Sequence, residues 1–306
     1  MSKRILFMGT PDYASIIFAE LLESNYEIVG LFTQPDKPVG RKQILTPPHI
    51  KQFCLDKNLD IPIYQPIKLR NNEEAKKQIS DLNPDFIIVA AYGQILPKEI
   101  LDIAPCINLH ASLLPKYRGA SPIQESLLND DYFTGVTSML MEEGLDSGDI
   151  LGFQYLKITN TMEVSQAFNE LSHIAAKLTI TTLDNFENIN PKKQDESEVT
   201  FCKKIKKDNG LVDFSSAKKL YLKYKAYSYW PGIFLESGLK LKDIELLENE
   251  SSNKSGNILE IKKDYIIVAC SQGSLKIKTL QAPSKKAVCS VDYIRGQRLE
   301  EGSVLV

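Results

Sequence analysis

The sequence predicts an α/β protein: a doubly wound, Rossmann-like sheet followed by a small C-terminal β-barrel of the OB-like kind. Three observations predict it. Strand and helix patterns alternate through the first half of the 306 residues. The run FIIVAA at 86–91 is apolar throughout, as a parallel strand covered on both faces must be. Beyond residue 239 the pattern changes to short β runs separated by Gly, Ser and Asn, which suits a small barrel.

Taken in order, residues 3–8 form a short apolar run ending in Gly9-Thr10-Pro11. Thr10 is placed to cap, and Pro11 to fill the first turn of, a helix whose apolar residues recur at helical spacing over 13–22. Residues 26–33 carry Ile and Val and read as a second strand. A helix near 49–57 leads to a short strand at 61–64, and 73–82 is a third helix. Strands at 86–91 and 106–109 follow. A long helical pattern over 163–186 closes the first domain. The chain then divides into a first domain over 1–189, a polar and basic linker over 190–209 that contains Pro191, and a barrel domain over 210–306. The last has one helix at 215–226 before β runs at 239–247, 256–261, 265–269 and 274–279.

Composition excludes several classes. With 37 Lys+Arg against 39 Asp+Glu and 43% hydrophobic residues, the chain is neither collagen-like, low-complexity nor disordered. The longest apolar run, 86–92, is far short of the ~20 residues that cross a bilayer. The N-terminus has no signal-peptide core or cleavage site, so a cytoplasmic protein with no membrane partner is expected. The five cysteines (54, 106, 202, 270, 289) are scattered, with no CxxC and no Cys/His cluster, which suggests neither a disulfide framework nor a metal site. Residues 200–306 carry a balance of +7 and residues 1–199 one of −9. A basic tail domain fits a polyanionic partner; a lysine-rich solvated face fits the same numbers.

The most informative stretch is CINLHASLLP at 106–115. In a strand, side chains alternate faces, so Asn108 and His110 point the same way while Ile107 and Leu109 face the opposite side. A polar pair at the C-terminal end of a buried parallel strand needs partners, and that end of an open sheet is where ligands bind. Histidine can carry a proton near neutral pH, and a carboxamide can donate to a developing oxyanion. The spacing alone fits a histidine satisfied at a strand end equally well. Downstream, Lys116 and Arg118 stand on a loop fixed by Pro115, Gly119 and Pro122, and a surface loop with solvated charges is the plain alternative. In EEGLDSGD at 142–149, glycines flank Asp146, so the backbone can approach a ligand closely. A carboxylate brought to a histidine fixes its tautomer; an acidic turn fits the composition too.

NLHASLLPKYRGASP at 108–122 and GVTSMLMEEGLDSGDIL at 135–151 resemble the folate-dependent formyltransferases. The resemblance implies Asn108, His110 and Asp146 as the catalytic set, and 10-formyltetrahydrofolate as cosubstrate with no metal. It implies a folate site from the SLLP segment (Ser112, Leu113, Leu114, Pro115), from Tyr92, Gly93 and Ile95, and from Glu142. Within the family, MGTPDYA at 8–14, TQPDKPVGRKQILTPPHIK at 33–51, TFCKKIKKDNGLVDFS at 200–215, YWPG at 229–232 and GQRLEEGSVL at 296–305 are similar to the branch that formylates the amino group of methionyl-tRNA. The resemblance thus covers nearly the whole chain.

Initiator methionyl-tRNA is the partner this implies, and a monomer the assembly. Lys37, Arg41 and Lys42, on a proline-rich loop over 34–49, are placed to reach an RNA groove, with Arg41 at the key basic position. Lys203, Lys204, Lys206 and Lys207 add a cationic stretch near the barrel. That long loop is expected to be mobile without RNA. Two positions depart from the family pattern: Lys225 stands where it has Arg, and Tyr229 where it has Pro. A sugar-nucleotide formyltransferase, a hydrolase acting on the same folate and a non-catalytic RNA-binding protein are the competing readings. The first would need neither the loop nor a basic barrel, and the complete catalytic set argues against the last.

Overall fold

The structure, a computed structural model, describes residues 2–40 and 42–306. In chain order the first part contains β1 (Arg4–Gly9), α1 (Asp12–Leu22), β2 (Glu27–Phe32), β3 (Lys37–Val39), β4 (Ile44–Thr46), α2 (His49–Asp56), β5 (Ile63–Tyr64), α3 (Glu73–Asp81), β6 (Phe86–Ala90), α4 (Lys98–Leu101), β7 (Cys106–His110), β8 (Arg118–Gly119), α5 (Pro122–Leu128), β9 (Phe133–Leu140), β10 (Ile150–Lys157), α6 (Val164–Asn185) and β11 (Phe201–Cys202). Then come α7 (Ala217–Tyr227), β12 (Ile233–Phe234), β13 (Lys240–Glu248), β14 (Ile258–Ile261), β15 (Ile266–Ala269), β16 (Ser274–Gln281), β17 (Val288–Cys289) and α8 (Ser290–Gly296). No helix among the described residues is long and apolar enough to cross a membrane.

The chain forms two compact units. The first comprises Met1–Pro122, Phe133–Lys157 and Phe168–Cys202; the second comprises Ile123–Tyr132, Ile158–Ala167 and Lys203–Val306. The first is built on a seven-stranded sheet in the order β10-β9-β7-β6-β1-β2-β5. β7, β6, β1, β2 and β5 run parallel, and β9 and β10 add an antiparallel edge. From β1 the chain builds outward to β2 and β5, then returns to the other side of β1 for β6 and β7. The crevice at that reversal, beyond the carboxyl ends of β1, β6 and β7, is the usual ligand position in such sheets. β6 is buried at every residue because it is covered on both faces. Leu6, Met8, Ile87 and Val89 pack on one face with Phe32, Ile79 and Ile100. Each such fully buried side chain contributes about 1.5–3 kcal/mol.

The doubly wound sheet agrees with the expectation. Two segments differ from it. The loop over 34–49 contains a short antiparallel ladder, Lys37↔Thr46, Pro38↔Leu45 and Val39↔Ile44. Strands of three residues that begin or end among prolines carry too little alternation to be read from sequence. The stretch over 190–202 is not a free linker. Lys192 exchanges backbone hydrogen bonds with Ile150 (2.7 and 2.9 Å), and β11 pairs with β8 as Arg118↔Phe201 and Gly119↔Cys202. From Phe168 the chain stays in the first unit through Cys202, and from Lys203 to its end it belongs to the second.

The second unit has an antiparallel sheet in the order β12-β13-β16-β15-β14, with β17 on β16. Ser216 caps α7, its hydroxyl accepting from the amide of Lys219 (3.4 Å). Lys225, the departure from Arg, is 2% exposed in this unit. Its Nζ lies 3.7 Å from an oxygen of Asp130, whose other oxygen pairs with Lys218 at 2.6 Å. Burial lowers the Lys225 pKa, and Asp130 partly restores it. Tyr229, the other departure, is 87% exposed.

Candidate active site

β7 ends in Asn108, Leu109 and His110, and the alternation of the strand sets Asn108 and His110 on one face. Both are buried, at 9% and 7% exposure. Asp146 comes to them from the turn between β9 and β10. That turn is tight: a Cβ at Gly148 would collide with the carbonyl oxygen of Leu140. Asp146 itself takes a left-handed conformation (φ 49°), which aspartate tolerates better than most residues. Its Oδ2 lies 3.7 Å from His110 Nδ1 and accepts the backbone N–H of Gly119 at 2.8 Å. Its Oδ1 lies 3.4 Å from Asn108 Nδ2. Asp146, 36 residues beyond His110 and 38 beyond Asn108 in the chain, therefore meets both at the carboxyl edge of the sheet.

The other nitrogen of His110 settles the tautomer. Nε2 is 2.9 Å from the carbonyl oxygen of Tyr117. A carbonyl only accepts, so Nε2 carries a proton and Nδ1 is the nitrogen that faces Asp146. Tyr117 is itself held by its neighbours. Its N–H donates to Thr200 Oγ1 (2.9 Å), and the next amide, of Arg118, donates to the Thr200 carbonyl (2.9 Å). The Cys202 thiol also donates to the Tyr117 carbonyl (3.3 Å). Gly119 sits at φ 125°, and a Cβ there would meet the carbonyl oxygen of Cys202.

The other sequence-predicted residues fall into distinct places. Ser112 is fully buried and donates to the Lys116 carbonyl (2.6 Å). Leu114 is buried against Met139 and Ile150, and its amide donates to Thr137 Oγ1 (3.0 Å), which in turn donates to the Ser112 carbonyl (2.6 Å). Leu113 and Pro115 are half-buried. Gly93 and Ile95 are exposed, Ile95 at 77%. Tyr92 differs: its ring lies inside the core cluster, and burial holds its phenol above the ordinary range. What it offers outward is backbone, and its carbonyl accepts from Thr10 Oγ1 (3.0 Å) and Gln34 Nε2 (3.2 Å). Glu142 is exposed and accepts from Ser147 Oγ (2.6 Å).

Lys37 and Lys42 are exposed on the β3–β4 hairpin beside exposed Val39, Ile44 and Leu45; Arg41, expected at its key position, lies outside the described residues. The hairpin's base is fixed by Lys51, whose ammonium donates to Asp36 (2.9 Å) and Gln65 (2.7 Å). Lys203, Lys204, Lys206 and Lys207 are exposed in the second unit.

Sequence reasoning missed the groups behind the centre. Arg118, for which a solvated charge on a surface loop was the plain alternative, is 4% exposed; its guanidinium donates to Gln194 Oε1 (3.0 Å) and Glu196 Oε1 (2.8 Å). Gln194 and Thr200 lie in the stretch read as linker, and no spacing signal marks either. Grooves of about 450 and 480 Å³ lie in the second unit, lined in part by Asp213 and Glu236. Neither contains an imidazole, so donor chemistry rather than volume marks the site. Among the described residues no three His, Cys, Asp or Glu side chains stand together as metal ligands.

Known proteins resemble this chain over nearly its whole length. Residues 3–183 match the formyl transferase family, and residues 204–298 match the formyl transferase C-terminal domain. The methionyl-tRNA formyltransferase of a Nitratiruptor species is 58% identical over 299 residues, covering 98% of each chain. That of Campylobacter lari is 56% identical over 305 residues, covering 99% of each. Among solved structures, an N-formyltransferase from Helicobacter canadensis, in complex with folinic acid and dTDP-3-aminofucose, superposes with a TM-score of 0.68 at 14% identity, covering 92% of this chain and 100% of that one.

Proposed function

The chain belongs to the formyl transferase family, and from that premise we propose that it transfers the formyl group of 10-formyltetrahydrofolate to the α-amino group of methionyl-initiator tRNA, giving formylmethionyl-tRNA for translation initiation. The observation that carries the reading is the meeting of Asn108, His110 and Asp146 at one strand end, with His110 Nε2 tied to a carbonyl.

The reaction moves one proton from the amine nitrogen to N10 of the folate as the C–N bonds exchange. The amine attacks in its neutral form, and the formyl oxygen becomes an oxyanion. Asn108 Nδ2 donates to that oxygen. His110 takes the amine proton on Nδ1 and passes it toward the leaving nitrogen. Asp146, oriented by the Gly119 N–H, sits where it stabilises the imidazolium formed in between. The chemistry uses no nucleophilic side chain.

The folate would lie along the backbone from Tyr92 and Gly93 to Ile95, with the 112–115 segment and Glu142 on its other side. Lys37 and Lys42 would contact the RNA backbone from the hairpin, Lys203, Lys204, Lys206 and Lys207 from the second unit, and Arg41 is proposed as a further RNA contact. We assign it to the cytoplasm as a monomer.

The test is direct. Incubation with 10-formyltetrahydrofolate and methionyl-initiator tRNA should give formylmethionyl-tRNA, with far less product from an amino-sugar nucleotide. Formate release alone, or no consumption of the folate, overturns the reading.

A further inference from the structure

We infer that Gln194 is a positioning residue of the formyl transfer site: its carboxamide holds Asp146 against His110 by tying together the two segments that fix that carboxylate. The inference rests on the proposed function above and adds a residue to its machinery.

The first segment is the turn that carries Asp146. Gln194 Nε2 donates to the carbonyl oxygens of both Asp146 and Gly148, each at 2.8 Å. One NH₂ group thus uses both of its protons on a turn whose central residue is in the left-handed region (φ 49°). The second segment is the one that receives the carboxylate. Gln194 Oε1 accepts from Arg118 Nε at 3.0 Å, and the residue after Arg118 is Gly119, whose N–H donates to Asp146 Oδ2 at 2.8 Å. The side chains of Gln194 and Arg118 are 8% and 4% exposed, so these bonds are shielded from water.

The chemistry of the position is specific. Two converging carbonyls demand two donors, and the guanidinium demands an acceptor. Of the residues of this length, glutamine supplies both in one neutral group. Glutamate would keep the bond to Arg118 but turn a negative oxygen onto two carbonyls beside Asp146. Methionine would keep the volume and lose every bond. Since a displacement of about 1 Å at a reacting group can cost up to 10²-fold in rate, a loosened Asp146 turn should be visible in turnover rather than in binding.

The experiment compares Gln194→Glu and Gln194→Met with the unaltered protein in two measurements. In steady-state formylation, kcat should fall about 10- to 100-fold in both variants while KM for 10-formyltetrahydrofolate and for methionyl-tRNA stays within about threefold. In amide hydrogen exchange on the free protein, the Gly119 N–H should exchange faster in both variants, because the carboxylate it donates to has moved. A Gln194→Glu variant with kcat within about twofold of the unaltered protein overturns the inference. So does unchanged protection at Gly119, or a loss that appears in both KM values and leaves kcat alone. Should the unaltered protein itself make no formylmethionyl-tRNA, the proposed function falls, and exchange at Gly119 still decides whether Gln194 holds the Asp146 turn.

Discussion

The floor of the site and the β3–β4 hairpin belong to the same unit and are built on opposite principles. At the floor, Asn108, His110, Asp146 and Arg118 all have partners, side-chain and backbone, within a stretch shielded from water. On the hairpin, Val39, Ile44 and Leu45 are 55–64% exposed and the neighbouring Lys37 and Lys42 stand in solvent. A proton carrier has to be right to a fraction of an ångström before the substrate arrives, so its surroundings are completed by the protein itself. If the hairpin meets RNA as proposed, it gains by leaving charge and apolar groups uncommitted, since the partner brings the missing half.

The sharpest attempt to break this contrast is at His110. His110→Ala should lower kcat by about 10²-fold or more, the range of a positioned acid–base group, with little change in methionyl-tRNA affinity. A variant close to normal turnover in a single-turnover assay would mean that the floor is scaffold rather than chemistry. Next in size is Gly119→Ala. With φ at 125° and the Cys202 carbonyl in the way, it should cost about 2–4 kcal/mol in a denaturant midpoint experiment and loosen the 117–121 segment. An undiminished midpoint would show that this closed region has slack.

The hairpin should respond in the reverse manner. Lys37→Ala with Lys42→Ala should weaken tRNA binding several-fold and reduce the slope of log K against log salt by about 2, while the melting temperature stays put. An unchanged slope would remove RNA from the hairpin's role. Ile44→Ser should alter stability by less than about 0.5 kcal/mol, since the side chain buries little, and any loss of tRNA affinity would sharpen the division of labour. The smallest expected effect is chemical. Burial pushes the Cys54 thiol up to about 11 and Cys106 up to about 12, so both stay protonated and iodoacetamide at pH 8 should leave formylation intact. Rapid labelling of Cys106, two residues before Asn108, would show that the floor opens readily.

What the sequence disclosed follows from how locally each feature is determined. The parallel core was legible because strands covered on both faces, such as FIIVA at 86–90, cannot be polar. Asn108 and His110 were legible as a pair because strand alternation is a two-residue rule. Asp146 was marked by its flanking glycines, and its joining to them came from family resemblance. The support behind it was not legible: Gln194 meets Gly148 across 46 residues, and Tyr117 meets Thr200 across 83. No periodicity links such positions, and a glutamine between two lysines and two acids looks like solvent-facing chain. The burial of Arg118 was hidden for the same reason, since its partners Gln194 and Glu196 lie far along the chain.

The ladder between β8 and β11 has a practical consequence for dividing the molecule. A fragment ended at residue 189, where helix gives way to polar chain, would keep every reacting side chain and yet lose Gln194, Thr200 and Cys202, the rear wall on which the Tyr117 carbonyl and the Asp146 turn are hung. A fragment carried on through Cys202, thirteen residues further, keeps that wall, although two segments inside it, Ile123–Tyr132 and Ile158–Ala167, belong to the second unit.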